Sequence, residues 1–152
     1  MQLTDKKIIL ASQSPRRKEI LAMIGLNFEV RKSKYEEKPI IDKSPQKIAE
    51  IHARNKALDV SQHYDNGLVI GADTIVVIDN EILGKPVNET HAQEMLQKLS
   101  GRTHEVMTGV AVTNAENKNQ LSFVSRTAVT FYDLSSDVID RYLSDNQYQD
   151  KA

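Results

Sequence analysis

The run Leu68-Val-Ile-Gly-Ala-Asp-Thr-Ile-Val-Val-Ile78 is the most apolar stretch of the chain and constrains the fold more than any other. Its β-branched content predicts a strand buried in a sheet. Gly71 interrupts the run, which points to a bend or to a close approach of another backbone. Asp73 also lies inside it. A carboxylate there is costly unless it is paired, hydrogen-bonded or bound to a metal. The alternative is a strand break at which backbone N–H groups satisfy it.

A second stretch combines a strand with charge. Ile8-Ile9-Leu10 reads as a short buried strand, Ser12-Gln13-Ser14 as a polar turn, and Pro15 as the first residue of a helix capped by Ser14. Ile20, Leu21 and Ile24 mark its expected buried face, and Gly25 is placed to end it in the left-handed conformation. Arg16, Arg17 and Lys18 put three cations in the first turn. The helix dipole is already positive there, and each such residue costs a few tenths of a kcal/mol, up to about 1, unless an anion offsets it. Strand, serine-rich turn and cationic helix start together suit phosphate groups. A solvated basic turn is the plainer alternative.

The remaining elements follow in order. Phe28–Val30 alternates like a short strand, and residues 31–42 are charged and irregular, with Glu36-Glu37 among them. Ser44-Pro45 opens a second helix to about Val60, with Ile48, Ile51 and Leu58 on one side. Lys56 lies about 80° around that helix from Ile48, at the border of the buried face, where it either reaches a neighbouring cleft or merely snorkels. Asp79-Asn80 predicts a hairpin turn into Glu81–Leu83, and Pro86 stops that strand beside Lys85. A third helix covers Glu89 to Ser100, with Ala92, Met95, Leu96 and Leu99 inward. Val106, Val110 and Val112 alternate in a strand. A loop at 114–119 leads to a return strand from Leu121 to Tyr132, with Leu121, Phe123, Val129 and Phe131 sharing a face. A last helix begins at Ser135 or Ser136, with Ile139, Tyr142 and Leu143 inward. The fold class is α/β or α+β, a mixed sheet with helices packed on it.

Several functions are excluded or disfavoured. The 152 residues carry a formal net charge of −1, so no global basic field holds nucleic acid or an anionic membrane. With no cysteine there is no disulfide, thiolate nucleophile or cysteine-based zinc site. No apolar run approaches the roughly 20 residues of a membrane span, and the polar N-terminus lacks a signal peptide's apolar region. A cytoplasmic protein is expected. Gly84-Lys85 is followed by proline, which cannot supply the Mg²⁺-holding hydroxyl of a P-loop, and the histidines at 52, 63, 91 and 104 do not cluster.

Four segments carry a resemblance together. Leu10-Ala-Ser-Gln-Ser-Pro-Arg-Arg17, Ile70-Gly-Ala-Asp-Thr74, Gly84-Lys-Pro86 and Leu99-Ser-Gly-Arg-Thr-His104 with Met107-Thr108 resemble the Maf family in order and spacing. Those proteins are nucleoside triphosphate pyrophosphatases, also described as septum-formation inhibitors. The resemblance covers essentially the whole chain. It implies a mixed, elongated sheet flanked by helices in two lobes with a central cleft, like that of the inosine triphosphatases. It also implies a cytoplasmic protein, often a homodimer, that needs Mg²⁺ or Mn²⁺.

Position by position, the resemblance implies that Ser12, Arg16 and Arg17 line the phosphate end of the site. Glu37 matches a metal-binding or substrate-contacting carboxylate, and Asp73 the catalytic carboxylate, itself a metal ligand. Lys56 and Lys85 match lysines on phosphates, with Thr74 as a further substrate contact. The expected chemistry is attack of water on the α-phosphorus, releasing diphosphate and a nucleoside monophosphate. Gly-Ala-Asp-Thr is similar to the subfamily acting on dTTP and UTP. Alternatives are another or base-modified nucleotide, or a non-catalytic regulator of cell division on the same fold. After Ala152 the family pattern continues into Gly-Ala-Tyr-Gly-Ile-Gln-Gly, so the expectation is a single Maf-like domain lacking its C-terminal segment.

Overall fold

The structure, a computed structural model, describes residues 6–145 and Tyr148. It is a mixed α/β fold with helices α1 (Pro15–Met23), α2 (Pro45–Ser61), α3 (Glu89–Leu99) and α4 (Ser136–Ser144). The strands are β1 (Ile8–Leu10), β2 (Glu29–Val30), β3 (Leu68–Ile78), β4 (Glu81–Leu83), β5 (Thr103–Asn114) and β6 (Gln120–Thr130). They form one sheet in the order β2-β1-β3-β5-β6, with β4 paired to β3 off this path. β1 runs parallel to both neighbours, with Ile9 beside Glu29 and Val69, whereas β4 runs antiparallel to β3.

The chain divides into two compact units. The first holds the residues up to Asp73 together with Thr108–Ser125. Its core is Ile9, Ala11, Ala53, Ala57, Val60, Val69, Ala111 and Ala115, with Tyr64 packed against it. The larger apolar residues Ile48, Ile51 and Leu58, expected to face inward from α2, are only half-buried, and Ala49, His52, Ala53 and Ala57 are buried instead. The reason is proximity. A Cβ on Gly71 would lie 2.7 Å from the Ala57 nitrogen, and one on Gly109 2.8 Å from the Glu50 nitrogen. Only small side chains fit between α2 and strands that come this near. On β5 the same constraint buries Gly109, Ala111 and Thr113 and leaves Val110 and Val112 half-buried.

α1 departs from expectation more sharply. Ile20 and Ile24 are 59% and 65% exposed, Leu21 is half-buried, and the helix has no buried residue. Among the described residues nothing covers that face. Its ends follow the sequence better: Gly25, at φ 75°, follows the last turn, and its N–H reaches the Ala22 carbonyl at 3.0 Å. Ser14 holds the N-cap position without a side-chain cap bond.

The second unit comprises Thr74–Met107 and the residues from Arg126 onward. Val76, Ile78 and Leu99 are buried there with Leu83, Val106 and Phe131 against them. A further cluster joins α3 to α4 through Ala92, Ile139, Leu143 and Tyr148. Asp79 and Asn80, at φ 52° and 62°, make the tight turn between β3 and β4 with the positive φ values that a two-residue hairpin favours. On the part of β6 that belongs to the first unit, Leu121 and Phe123 are 82% and 61% exposed, contrary to the inward face expected of them. β6 ends the sheet order, and the residues it turns to α2 are Gln120, which donates to the Arg54 carbonyl, and Ser122, which donates to Glu50.

Candidate active site

The site builds from three elements of the first unit. β3 continues unbroken through Asp73, so the strand-break alternative is set aside. Asp73 is 5% exposed, and one of its oxygens is accounted for by a cation: Lys56 Nζ donates to Oδ1 at 2.7 Å. The other oxygen, Oδ2, is buried with no hydrogen-bond partner. Lys56 reaches Asp73 because α2 lies close on β3, and its side chain is 14% exposed. Its Nζ also pairs with Glu37 Oε1 at 2.5 Å. Glu37 is the more open carboxylate, with half of its side chain exposed.

The segment that carries Glu37 has no regular structure, but it is tied to α2. Asp59 accepts from the Ser33 hydroxyl and from the Lys34 N–H, each at 2.8 Å. Tyr35 donates its N–H to Ser33 Oγ at 3.0 Å, and its hydroxyl meets Nδ1 of the buried His52 at 3.0 Å. Burial works against ionisation of Asp59, yet the bonds from Ser33 and Lys34 hold its carboxyl below the ordinary value. Ser33, Tyr35, His52 and Asp59 therefore fix the approach of the Glu37 segment to the helix that carries Lys56. Sequence reading gave no sign of them. Nothing in the spacing of an irregular segment reports which helix positions it will meet.

At the start of α1, Ser12 Oγ accepts from Arg17 Nη1 at 3.1 Å and from the Ser14 N–H at 3.2 Å. Burial pushes the Arg17 guanidinium down from its ordinary value, Asp73 and Glu37 pull it back up, and Arg16 again lowers it. Arg17 thus senses both carboxylates electrostatically, while Arg16 is exposed and Lys18 half-buried. Ser12, Arg17, Glu37, Lys56 and Asp73 are brought together in one unit, with Arg16 beside Arg17. Thr74 follows Asp73 on β3 and is half-buried, and Lys85 is exposed just beyond β4; both belong to the second unit.

Two carboxylates, one with a buried oxygen that lacks a partner, form an all-oxygen donor set suited to a hard divalent cation. No group of three or more histidine or acidic residues that could hold a metal occurs among the described residues. The donors fit a cation such as Mg²⁺, which takes one or two carboxylates and fills its remaining positions with water and substrate phosphates. No described helix is long and apolar enough to cross a membrane.

Fold and site together define an α/β protein of the architecture seen in the Ham1 protein of Staphylococcus aureus. That structure superposes with a TM-score of 0.59 over 81% of this chain and 70% of its own, at 14% identity, a likeness that concerns the fold alone. Residues 7–152 match the family model described as Maf-like protein, and the chain belongs to the Maf family. A relative from Bacillus cereus strain ATCC 10987, named dTTP/UTP pyrophosphatase, is 49% identical over 147 residues, covering 97% of this chain and 71% of that protein. A relative of the same name from Bacillus mycoides strain KBAB4 is 48% identical, over 97% of this chain and 76% of that protein.

Proposed function

We propose that this protein is a nucleoside triphosphate pyrophosphatase acting on dTTP and UTP. Water adds to the α-phosphorus, the bond from that phosphorus to the oxygen bridging to the β-phosphorus breaks, and diphosphate leaves with the nucleoside monophosphate as the other product. The observation that carries this reading is Asp73: a strand carboxylate at 5% exposure with one oxygen held by Lys56 and the other without a partner. Retaining such a group in the most apolar strand is costly unless a ligand completes it. The names of relatives at about half identity over almost the whole chain support the substrate assignment.

Each residue then has a task. Asp73 Oδ2 is the oxygen left to accept a hydrogen bond from the attacking water or to hold a cation. Arg17, steadied by the Ser12 hydroxyl, and Arg16 in the same turn meet phosphate oxygens as negative charge grows on the leaving diphosphate. Glu37 and Asp73 would hold Mg²⁺ or Mn²⁺, which when bound screens the carboxylates from the polyphosphate and polarises its oxygens. Thr74, Lys56 and Lys85 are proposed as substrate contacts on the family motifs. On the same resemblance we propose a cytoplasmic homodimer whose partner is a nucleotide. The net charge of −1 supports nucleotide over nucleic acid or an anionic membrane.

The test is diphosphate release across a panel of nucleotides with Mg²⁺. The reading predicts dTTP and UTP as the substrates hydrolysed with the highest kcat/KM. Release from no nucleotide in the panel would remove the enzyme reading and leave the cell-division regulator.

A further inference from the structure

We propose that Lys56 is a resident counter-cation: in the nucleotide-free protein its ammonium holds Glu37 and Asp73 together and competes with a divalent cation for them. The three groups come from three separate elements, an irregular segment, α2 and β3, yet Nζ lies 2.5 Å from Glu37 Oε1 and 2.7 Å from Asp73 Oδ1. These are the distances of close charge-assisted bonds, and the Lys56 and Asp73 side chains are 14% and 8% exposed, so water screens the pair little. A divalent cation held by Glu37 and Asp73 would draw on the same two negative charges that Lys56 now pairs with. The ammonium and the ion cannot share them, because two cations would then lie within a few ångströms in a poorly screened place.

Asp73 Oδ2 is the remaining foothold, buried and without a partner. A cation engaging it draws Asp73 away from Lys56, and the lysine then needs another anion. The phosphates of the nucleotide are the anion of suitable charge. Cation and nucleotide therefore load cooperatively: each removes part of the obstacle to the other, and the coupling is reciprocal. Lys56 so keeps the two carboxylates from repelling each other, and keeps free cation out, until substrate arrives.

The inference rests on the proposed hydrolase reading only for the identity of the cation and of the second anion. Its test contains no nucleotide. Mn²⁺ is titrated into the nucleotide-free protein and free Mn²⁺ is followed by electron paramagnetic resonance, for the unsubstituted chain and for Lys56→Gln, Lys56→Arg and Lys56→Gln/Glu37→Gln. Lys56→Gln is expected to bind Mn²⁺ about tenfold more tightly or better, within the usual range of site-to-site coupling. Lys56→Arg should stay near the unsubstituted value, and adding Glu37→Gln should abolish the gain. Lys56→Met, which keeps the aliphatic stem packed, replaces the glutamine variant if that one lacks a cooperative thermal transition. Unchanged or weaker Mn²⁺ binding in a folded variant without the ammonium overturns the proposal. That result would leave diphosphate release by the unsubstituted protein untouched, whereas absence of release would leave the Mn²⁺ comparison intact.

Discussion

Asp73 Oδ1 and Lys56 Nζ lie 2.7 Å apart, although the residues are 17 positions apart in the chain and sit on a strand and a helix. The contact exists because α2 comes close to β3 where Gly71 faces Ala53 and Ala57, with no larger side chain between the backbones at that point. The small residues of α2 thus do more than fill a core. They set the distance over which a lysine stem can deliver its charge to a strand carboxylate.

That packing can be tested at Gly71. Alanine there would place its Cβ 2.7 Å from the Ala57 nitrogen, against helix backbone rather than a mobile side chain. Overpacking of this kind costs about 1–3 kcal/mol or more. For a chain of this size each kcal/mol lowers Tm by roughly 2–4 °C. Gly71→Ala, and Gly109→Ala by the same argument, should show the drop in a thermal melt. An unchanged Tm would mean that α2 stands further from the sheet.

Asp59 is expected to act through Glu37. Asp59→Ala removes the acceptor for Ser33 and for the Lys34 N–H, loosening the segment that carries Glu37. Losing a partner one step removed from a metal ligand commonly costs 10–100-fold in affinity or activity. Diphosphate release should fall about tenfold, and half-maximal rate should require more Mg²⁺. A fall in Tm with an unaltered Mg²⁺ requirement would make Asp59 a purely structural tether.

His104 gives a pH dependence in the second unit. It is 5% exposed, its Nδ1 has no partner, and its ring meets Phe131 edge-on at 4.9 Å between centroids. Burial lowers its pKa from the ordinary 6.5, so the folded protein resists charging it. Below 6.5 the unfolded chain takes up the proton first. The contribution is whole above that value and is lost as pH falls towards the lowered folded value. Melts taken from about pH 7.5 downward should show Tm declining below about 6.5, and His104→Leu should blunt the decline. Identical pH profiles for the two proteins would show that His104 is not the group responsible.

What the sequence disclosed and what it hid divide along a physical line. Local chemistry was legible. Ser44 caps α2 by accepting from the Lys47 N–H, Gly25 takes its positive φ after α1, and Asp79-Asn80 turns β3 into β4. Gly71 is the close backbone approach that its position in an apolar strand suggested. Hydrophobic size misled where packing is set by proximity, so that Ile48 and Ile51 lie at the margin of α2 while alanines are buried. It misled again on α1, whose Ile20 and Ile24 are apolar yet uncovered. In the site, Asp73 stood out because a charge in an apolar strand is anomalous. Lys56 was marked only by the family resemblance, and Ser33, Tyr35, His52 and Asp59 not at all, because their roles come from contacts between distant parts of the chain.

Asp73 carries the account, and one substitution tests it most directly. Asp73→Asn keeps the size of the side chain and an oxygen for Lys56, but removes the negative charge. Diphosphate release from dTTP should fall by at least about 10²-fold, the lower range for losing a positioned acid–base group. Nucleotide affinity, measured by calorimetry on the same variant, should change far less, because the proposed phosphate contacts, Arg16 and Arg17, are left in place. Turnover at the unsubstituted rate, with only Tm lowered, would contradict the account and make Asp73 a structural partner of Lys56.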